Sequence, residues 1–330
     1  MDCSGCNSSG DGELMTDYKT LKGFDVKVVT SNPSPVALGQ MWYNSTDSQL
    51  RVNKNVGAWA EGNNLNTARM SPYGSTAGIQ TAAMACDGTT QSTEEYNGTS
   101  WAEQTPNTNT AKTNHMACGT QTAGLAAAGG PPPALLSEEY DGTSWTEGND
   151  MGTARYQLVG FGTQTAGLGT GGYVTGAGTK GETEEYNGAS WAESGDLNTT
   201  RHDLMGSGTQ TAGIVSGGAS YSADSEEYNG TGWTEGNNLN EGRNDGAHFG
   251  IQTATFCVGG KEPTRTNIVE EYNGTTWATG TAVNTSASTM SAAGTTTLGL
   301  VWGGTSNGSN TLDRSEEWTQ AAEVQDVTSS

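Results

Sequence analysis

The chain is short of positive charge and of long hydrophobic runs. Lysine and arginine total 14 against 36 aspartates and glutamates, a formal net charge of −22. So acidic a surface repels a phosphate backbone, which argues against nucleic acid as a partner, and it favours solubility over non-specific association. No stretch approaches the roughly 18 apolar residues of a membrane-spanning helix, so no such span is expected. The opening MDCSGCNSSGDGELMTD has neither a basic n-region nor an apolar h-region. The expectation is a chain without a secretory signal, made and folded in a cytoplasm. A disulfide framework is missing too, since the five cysteines are odd in number and irregular in spacing. Cys86, Cys118 and Cys257 read as small buried hydrophobes, and Cys3 and Cys6 form a lone Cys-x-x-Cys without the second pair or nearby histidine of a structural zinc site. With 32% hydrophobic residues and 49 glycines, a thick Leu/Ile core is excluded. Thin sheets packed through Ala, Thr, Gly and a few aromatics are not.

What the chain has is repetition. The stretch SEEYDGTSWTEGNDMGTAR at residues 137–155 has close copies at 93–104, 183–201, 225–243 and 269–280. Trp59, Trp101, Trp145, Trp191, Trp233 and Trp277 follow one another at intervals of 42, 44, 46, 42 and 44 residues. Between copies lies a second block, GTQTAGLAAAGG at 119–130 or GTQTAGIVSGG at 208–218. Self-similarity at this period marks a repeat architecture. Glu-Glu-Tyr, then Asn-Gly or Asp-Gly, then Thr/Ala-x-Trp reads as strand, turn and strand. Asn-Gly accepts positive φ at both central positions, which predicts a two-residue hairpin. Thr-Gln-Thr-Ala-Gly-Leu/Ile running into Gly-Gly supplies a third strand, and the segment after the Arg, such as 155–162, a fourth. Four antiparallel strands per 42–46 residues is the size of one propeller blade. Units begin near Arg69, Lys112, Arg155, Arg201, Arg243 and Ala287, which predicts six blades. SEEW at 315–318 is a last Glu-Glu-aromatic strand, and AWAEG at 58–62 is an orphan outer strand. Residues 58–62 are expected to latch the ring; the alternative is that 319–330 supply that strand.

Arg, an apolar run ending Gly-Gly, then Tyr, then Trp resembles the kelch repeat over about residues 58–324. WD40 fits worse, lacking Trp-Asp closures and Gly-His openings. The wording EEYNGTSW and GTQTAGL is also similar to kelch-like virion proteins of tailed, mainly marine, cyanophage-type bacteriophages. The resemblance implies an all-β, six-bladed kelch-like β-propeller in a virion structural or fibre-type protein that binds rather than catalyses. Ahead of it, residues 1–22 read as a polar arm, 23–30 (GFDVKVVT) as a strand broken by SNPSP, and 39–53 as a hairpin. In that hairpin Trp42 and Tyr43 occupy one arm, Leu50 and Val52 the other, with 45–47 turning. This stretch resembles the GQ-x-x-YNST modules preceding variable domains in phage fibre-type proteins, implying a docking arm; a cap on the propeller is the other reading. The expected divisions are 1–57 for arm and hairpin, 58–324 for the propeller and 325–330 for a C-terminal tail.

Two kinds of candidate residue emerge. Trp101, Trp145, Trp191, Trp233 and Trp277, with Arg69, Arg155, Arg201 and Arg243, recur at fixed positions, as structural residues do. Lys112 lies one place later, and Ala287 breaks the series. The arginines are expected to neutralise carboxylates of the Glu-Glu strands rather than form a sialidase-type triad, although DGTSW at 141–145 superficially resembles an Asp-box. Adjacent glutamates on a strand face opposite sides, so the pairs make no acid/base dyad and no catalytic residue is expected. His115, His202 and His248 fall on one face of first-strand segments but at different depths, against a single ligand cluster. No cofactor is expected; calcium is the cation that the Asp-, Asn-, Gly- and Glu-rich loops could serve, though none has EF-hand spacing. The Asn-x-Thr sequons at Asn97, Asn229 and Asn273 are explained by turn chemistry.

The other candidates lie in loops that differ between repeats, on the edge shared with the Trp-to-Arg connections. They are Leu135, Leu136, Tyr173, Lys180, Tyr221, Lys261, Arg265 and Arg314. Variable loops on a rigid scaffold are where binding concentrates. Expected partners are a host surface receptor or neighbouring subunit at this edge and other virion proteins at the N-terminal arm, in a multi-copy assembly. The alternatives are a non-viral kelch-type adaptor and, further off, a kelch-type oxidase or sialidase-like enzyme.

Overall fold

The computed structural model describes residues 26–36, 40–70, 76–88, 91–105, 107–130, 132 and 134–327. Every regular element among them is a β-strand, and the fold is all-β and propeller-like, with no helix among the described residues. The chain divides into two compact units, Met1–Gly57 with Gln320–Ser330, and Ala58–Thr319.

In the larger unit the sequence repeat is a four-stranded antiparallel sheet. Val159–Thr163 pairs with Ala166–Thr170, that strand with Thr183–Tyr186, and that in turn with Trp191–Glu193. The same order recurs in Met205–Thr209, Ala212–Ser216, Ser225–Tyr228 and Trp233–Glu235. It recurs again in Ala247–Ile251, Ala254–Val258, Val269–Tyr272 and Trp277–Thr279. Earlier in the chain it is formed by Met116–Thr120, Ala123–Ala127, Ser137–Tyr140 and Trp145–Glu147, and by Thr76–Ile79, Ala82–Cys86, Thr93–Tyr96 and Trp101–Gln104. The last set consists of Ser291–Gly294, Leu298–Trp302 and Ser315–Asp326, and its fourth place is taken by Gln49–Glu61. Gly62 N–H donates to the Ser315 carbonyl at 2.9 Å, so residues 58–62 occupy the latch position, ahead of the alternative of 319–330. The first strands lie against one another in chain order, and Ser291–Gly294 returns to touch Thr76–Ile79, so the series closes on itself.

The turn between third and fourth strands differs from expectation. Pairing runs to Tyr96 and Trp101, and Asn97 N–H donates to the Ser100 carbonyl, so the tip is Gly98–Thr99 rather than Asn97–Gly98. Gly98 takes the positive φ, at 85°, while Asn97 Oδ1 accepts the N–H groups of Thr99 and Ser100 at 3.0 and 2.9 Å. The asparagine therefore contributes a side-chain acceptor, not a left-handed backbone.

The glycine content has a packing reason. A Cβ on Gly213 would lie 2.4 Å from the Phe161 ring, and one on Gly299 would lie 2.4 Å from Phe249. Each large ring thus fills the space that the facing sheet leaves open, which builds a dense core from few large residues.

Three polar links repeat between successive sheets. The tyrosine of one third strand donates to the second glutamate of the preceding one: Tyr140 to Glu95 at 2.9 Å, Tyr228 to Glu185 and Tyr272 to Glu227, each at 2.5 Å, and Tyr186 to Glu139. The glutamine of Gly-Thr-Gln-Thr-Ala-Gly spans to two carbonyls of the preceding sheet, as Gln164 does to Gly124 at 3.0 Å and Tyr140 at 2.9 Å. Trp145 and Trp233 Nε1 donate to Thr93 and Thr183 Oγ1, both at 2.9 Å. The first sheet joins the last in the same manner, through Gln80 to the Gly299 and Trp318 carbonyls and Tyr96 to Glu317. Gln164→Ala would strand two carbonyls that currently have donors. Leaving a buried acceptor unsatisfied costs about 1–3 kcal/mol, so a fall of that size is expected in chemical denaturation. Unchanged stability would show that water replaces the amide without loss.

In the smaller unit Lys27–Val29 pairs in parallel with Met41–Asn44, which pairs antiparallel with the start of Gln49–Glu61. The hairpin expected over 39–53 is present, with Trp42, Tyr43 and Leu50 buried and Trp42 Nε1 donating to Asn32 Oδ1 at 3.2 Å. Of the strand expected over 23–30, the described part is strand at Lys27–Val29, and residues 23–25 lie outside the described residues. The tail expected from residue 325 is instead strand through Asp326, and Val327 N–H donates to the Leu50 carbonyl at 2.8 Å. The unpaired backbone of the hairpin's second arm supplies the reason for this addition. Arg51 adds ion pairs to Asp47 at 2.6 Å and Asp326 at 2.9 Å. The arm at 1–22, with Cys3 and Cys6, lies outside the described residues.

Candidate functional site

The recurring basic residues serve the scaffold. Arg155 Nη1 meets Glu184 Oε1 at 2.7 Å and Arg201 Nη2 meets Glu226 Oε1 at 2.5 Å, with Arg69–Glu94, Lys112–Glu138 and Arg243–Glu270 paired alike. All these side chains are buried. Each carboxylate also accepts two backbone N–H groups from the connection entering its repeat, such as Gly152 at 2.6 Å and Thr153 at 3.2 Å on Glu184. The first glutamate of the pair is therefore a buried staple and the second receives a phenol, on opposite faces of one strand, except at Glu271, where Trp318 stands in place of the tyrosine. Trp101, Trp145, Trp233 and Trp277 are buried and Trp191 half-buried.

Arg314 requires a correction. It was expected among the loop binding residues, but its guanidinium reaches Glu316 and the Thr285 carbonyl. Ala287 stands where the other repeats have a basic residue, so Glu316 would be a buried carboxylate without a cation. Arg314 supplies that cation from the loop, and burial lowers its pKa to about 10.

The remaining candidates do occupy the variable edge, because alternate connections of an antiparallel meander emerge at one end. Tyr173–Val174 and Gly178–Thr179 form a small hairpin on the loop after Ala166–Thr170. It holds the Tyr173 ring 5.6 Å from Tyr156 and 5.2 Å from the His202 imidazole, both edge-on. Thr179 Oγ1 lies 3.1 Å from His202 Nδ1. Lys180 is half-buried and 3.3 Å from Glu182. Tyr221 is 37% exposed on a backbone with φ of 57°. Lys261 is held through backbone bonds with Asn244, and Arg265 Nε donates to Ser288 Oγ at 2.9 Å. Leu136 is exposed and Leu135 half-buried, in the loop before Ser137–Tyr140. The structure thus brings Tyr173 together with His202.

Tyr156 and two acids were not singled out in the sequence. Two places after each repeat's basic residue stand Ser71, Asn114, Gln157, Asp203, Asp245 and, after Ala287, Thr289. Among the described members, Gln157 N–H donates to the Asn114 carbonyl at 2.8 Å, Asp203 to Gln157 and Asp245 to Asp203 at 3.0 Å, and Thr289 to Asp245 at 2.6 Å. All five have φ between 54° and 59°. They make a run of backbone hydrogen bonds from Asn114 to Thr289 where the connections enter the first strands. Burial and the neighbouring Asp245 carboxylate hold Asp203 well above the usual carboxylate range; burial raises Asp245, while Lys261 and Arg265 oppose it. A polar position that varies inside an otherwise constant motif was the available signal.

The three histidines do not converge. His115 Nε2 lies 3.9 Å from Cys86 Sγ, His248 Nε2 is 2.8 Å from Ser216 Oγ, and His202 belongs with Tyr173. Burial lowers both His115 and His248 to about 3. Cys86, Cys118 and Cys257 are free and buried, and burial pushes Cys118 up to about 12 and Cys257 to about 11. These are inert interior groups. Among the described residues no three His, Cys, Asp or Glu side chains form a metal-holding group. In comparisons with known proteins, no family model matches the chain and no curated protein is similar to it.

Proposed function

We propose that the larger unit is a six-bladed kelch-like β-propeller and the protein a fibre-type structural component of a tailed-phage particle. Its variable-loop edge would bind a receptor glycan, a host protein or a neighbouring subunit, with the N-terminal arm as anchor. The observation that carries this reading is the contrast between the two edges. Repeated links and core packing account for most of the recurring glutamates, glutamines and tryptophans, whereas the loop edge differs in every repeat and carries Tyr156, Tyr173 and His202 in one cluster and the exposed Tyr221. Aromatic surface at low entropic cost suits a sugar ring or an apolar side chain. Binding rather than catalysis is the reading favoured by the occupation of nearly all the recurring acids by cations or phenols, Glu271 being the exception. The virion assignment draws on the wording EEYNGTSW and GTQTAGL.

Tyr173→Ala with Tyr221→Ala is expected to weaken binding to host-surface polysaccharide or to particles about tenfold or more, since interface aromatics are frequent hot spots. Charge changes at the repeated turns, Thr99→Glu with Thr231→Glu, should leave binding unchanged, as both residues are exposed on the opposite edge. Equal losses from the two pairs would remove the loop edge from consideration. Immunogold labelling of whole particles tests the assignment itself.

A further inference from the structure

We propose that Asn97, Asn187, Asn229 and Asn273 are sites of self-catalysed deamidation, converted to aspartate on the edge opposite the variable loops. Each is exposed and precedes a glycine at the tip between third and fourth strands, and the four glycines share φ of 85° to 90°. At all four, Oδ1 accepts the N–H groups two and three residues on, at 2.9 to 3.1 Å. A side chain that reaches so far forward along its own backbone lies over the intervening peptide, beside the glycine nitrogen. Among the described residues none accepts the Gly98, Gly188, Gly230 or Gly274 N–H.

The chemistry follows from this arrangement. Hydroxide takes the proton of the Gly98 N–H, and the nitrogen bonds to Asn97 Cγ. The carbonyl electron pair moves onto Oδ1, where the Thr99 and Ser100 N–H groups receive it as the donors of an oxyanion hole do. Return of the pair breaks the bond to Nδ2, which leaves as ammonia with a proton from water, restoring hydroxide. Water then opens the cyclic imide. Cleavage between Cγ and the Gly98 nitrogen gives aspartate, and cleavage on the main-chain carbonyl side gives isoaspartate. Nothing is oxidised or reduced.

The remaining turn of the series already carries the product. Asp141 precedes Gly142, and its Oδ1 accepts the Thr143 and Ser144 N–H groups at 2.8 and 2.7 Å. The Thr143 hydroxyl and these two N–H groups hold its pKa down at about 2. Aspartate therefore fits this turn in its ionised form, and each conversion adds a negative charge there. A fifth Asn-Gly pair supplies the contrast. Asn307 is also exposed and precedes Gly308, but its amide is clamped to another loop. Arg265 N–H donates to its Oδ1 at 3.0 Å, and the Arg265 carbonyl accepts its Nδ2 at 3.3 Å. That clamp ties down both the carbonyl and the leaving nitrogen.

The full chain would be held folded in warm, mildly alkaline buffer, beside a sample unfolded in urea. Peptide mapping by mass spectrometry reads, at each asparagine, the small mass gain of replacing an amide by an acid. In the folded chain the four turn asparagines should convert about tenfold or more faster than Asn307, since one well-placed donor at a developing oxyanion is worth at least that. In urea the five pairs should convert alike. Asn97→Asp, Asn187→Asp, Asn229→Asp and Asn273→Asp combined should leave Tm unchanged, as the Asp141 turn implies. Asn307 converting as fast as the turns in the folded chain would overturn the proposal. So would turn asparagines that stay intact while the unfolded chain is converted, or a lowered Tm in the fourfold variant.

Discussion

Arg155→Ala is expected to cost about 3–5 kcal/mol, because it leaves the Glu184 carboxylate buried with only the Gly152 and Thr153 N–H groups for company. The chain contains its own comparisons. Lys112 fills the role in one repeat and Arg314, arriving from a different strand connection, fills it in another. The carboxylate is the constant and the source of the cation is not. Arg155→Lys should therefore retain most of the stability, and Arg155→Ala combined with Glu184→Gln should recover part of the loss. Denaturant unfolding of the three variants measures this; a loss below about 1 kcal/mol for Arg155→Ala would mean that water reaches Glu184.

Trp145→Ala should be comparably severe. Its indole is 5% exposed, lies 5.0 Å from the Tyr140 ring, and packs with Met84, Cys86, Ala117 and Ala126 of neighbouring strands. Removing a large buried aromatic costs about 3–5 kcal/mol, or roughly 6–15 °C in Tm for a domain of this size. Trp145→Phe separates packing from the hydrogen bond to Thr93 and should lose only about 1 kcal/mol. A variant that melted like the wild type but bound its target poorly would reassign Trp145 from core to surface.

The sequence made the strands, their order and the carboxylate–cation pairing legible because each is repeated. Repetition turned a weak local pattern such as Glu-Glu-Tyr into a strong one. Where repetition failed, reading failed with it. Arg314 read as a loop binding residue because its scaffold role depends on the missing basic residue at Ala287, 27 positions earlier in sequence. The Asn-Gly turn was misplaced by one residue because Asn97 can act through its side chain or its backbone, and composition does not say which. A glutamine stands at the place of Gln164 in five of the six repeats, yet its two carbonyl partners belong to another sheet, which a single repeat cannot reveal. Asp203 and Asp245 are ordinary acids until a run of backbone hydrogen bonds sets them side by side.

The strand that completes the last sheet is the earliest of that sheet to leave the ribosome. Ser315 Oγ donates to the Asn63 carbonyl across a separation of 252 residues, whereas consecutive sheets are joined over some 42 to 46. Closing the longer interval costs about 1.5 kcal/mol more chain entropy than closing a shorter one, a modest thermodynamic burden. Its kinetic meaning is larger. Throughout synthesis residues 58–61 wait as an unpaired edge carrying Trp59, while each later sheet docks on its predecessor. Two nascent copies held close together can trade these segments, each finishing the other's last sheet with the same hydrogen bonds. The seam that seals one molecule would form with the same hydrogen bonds between two.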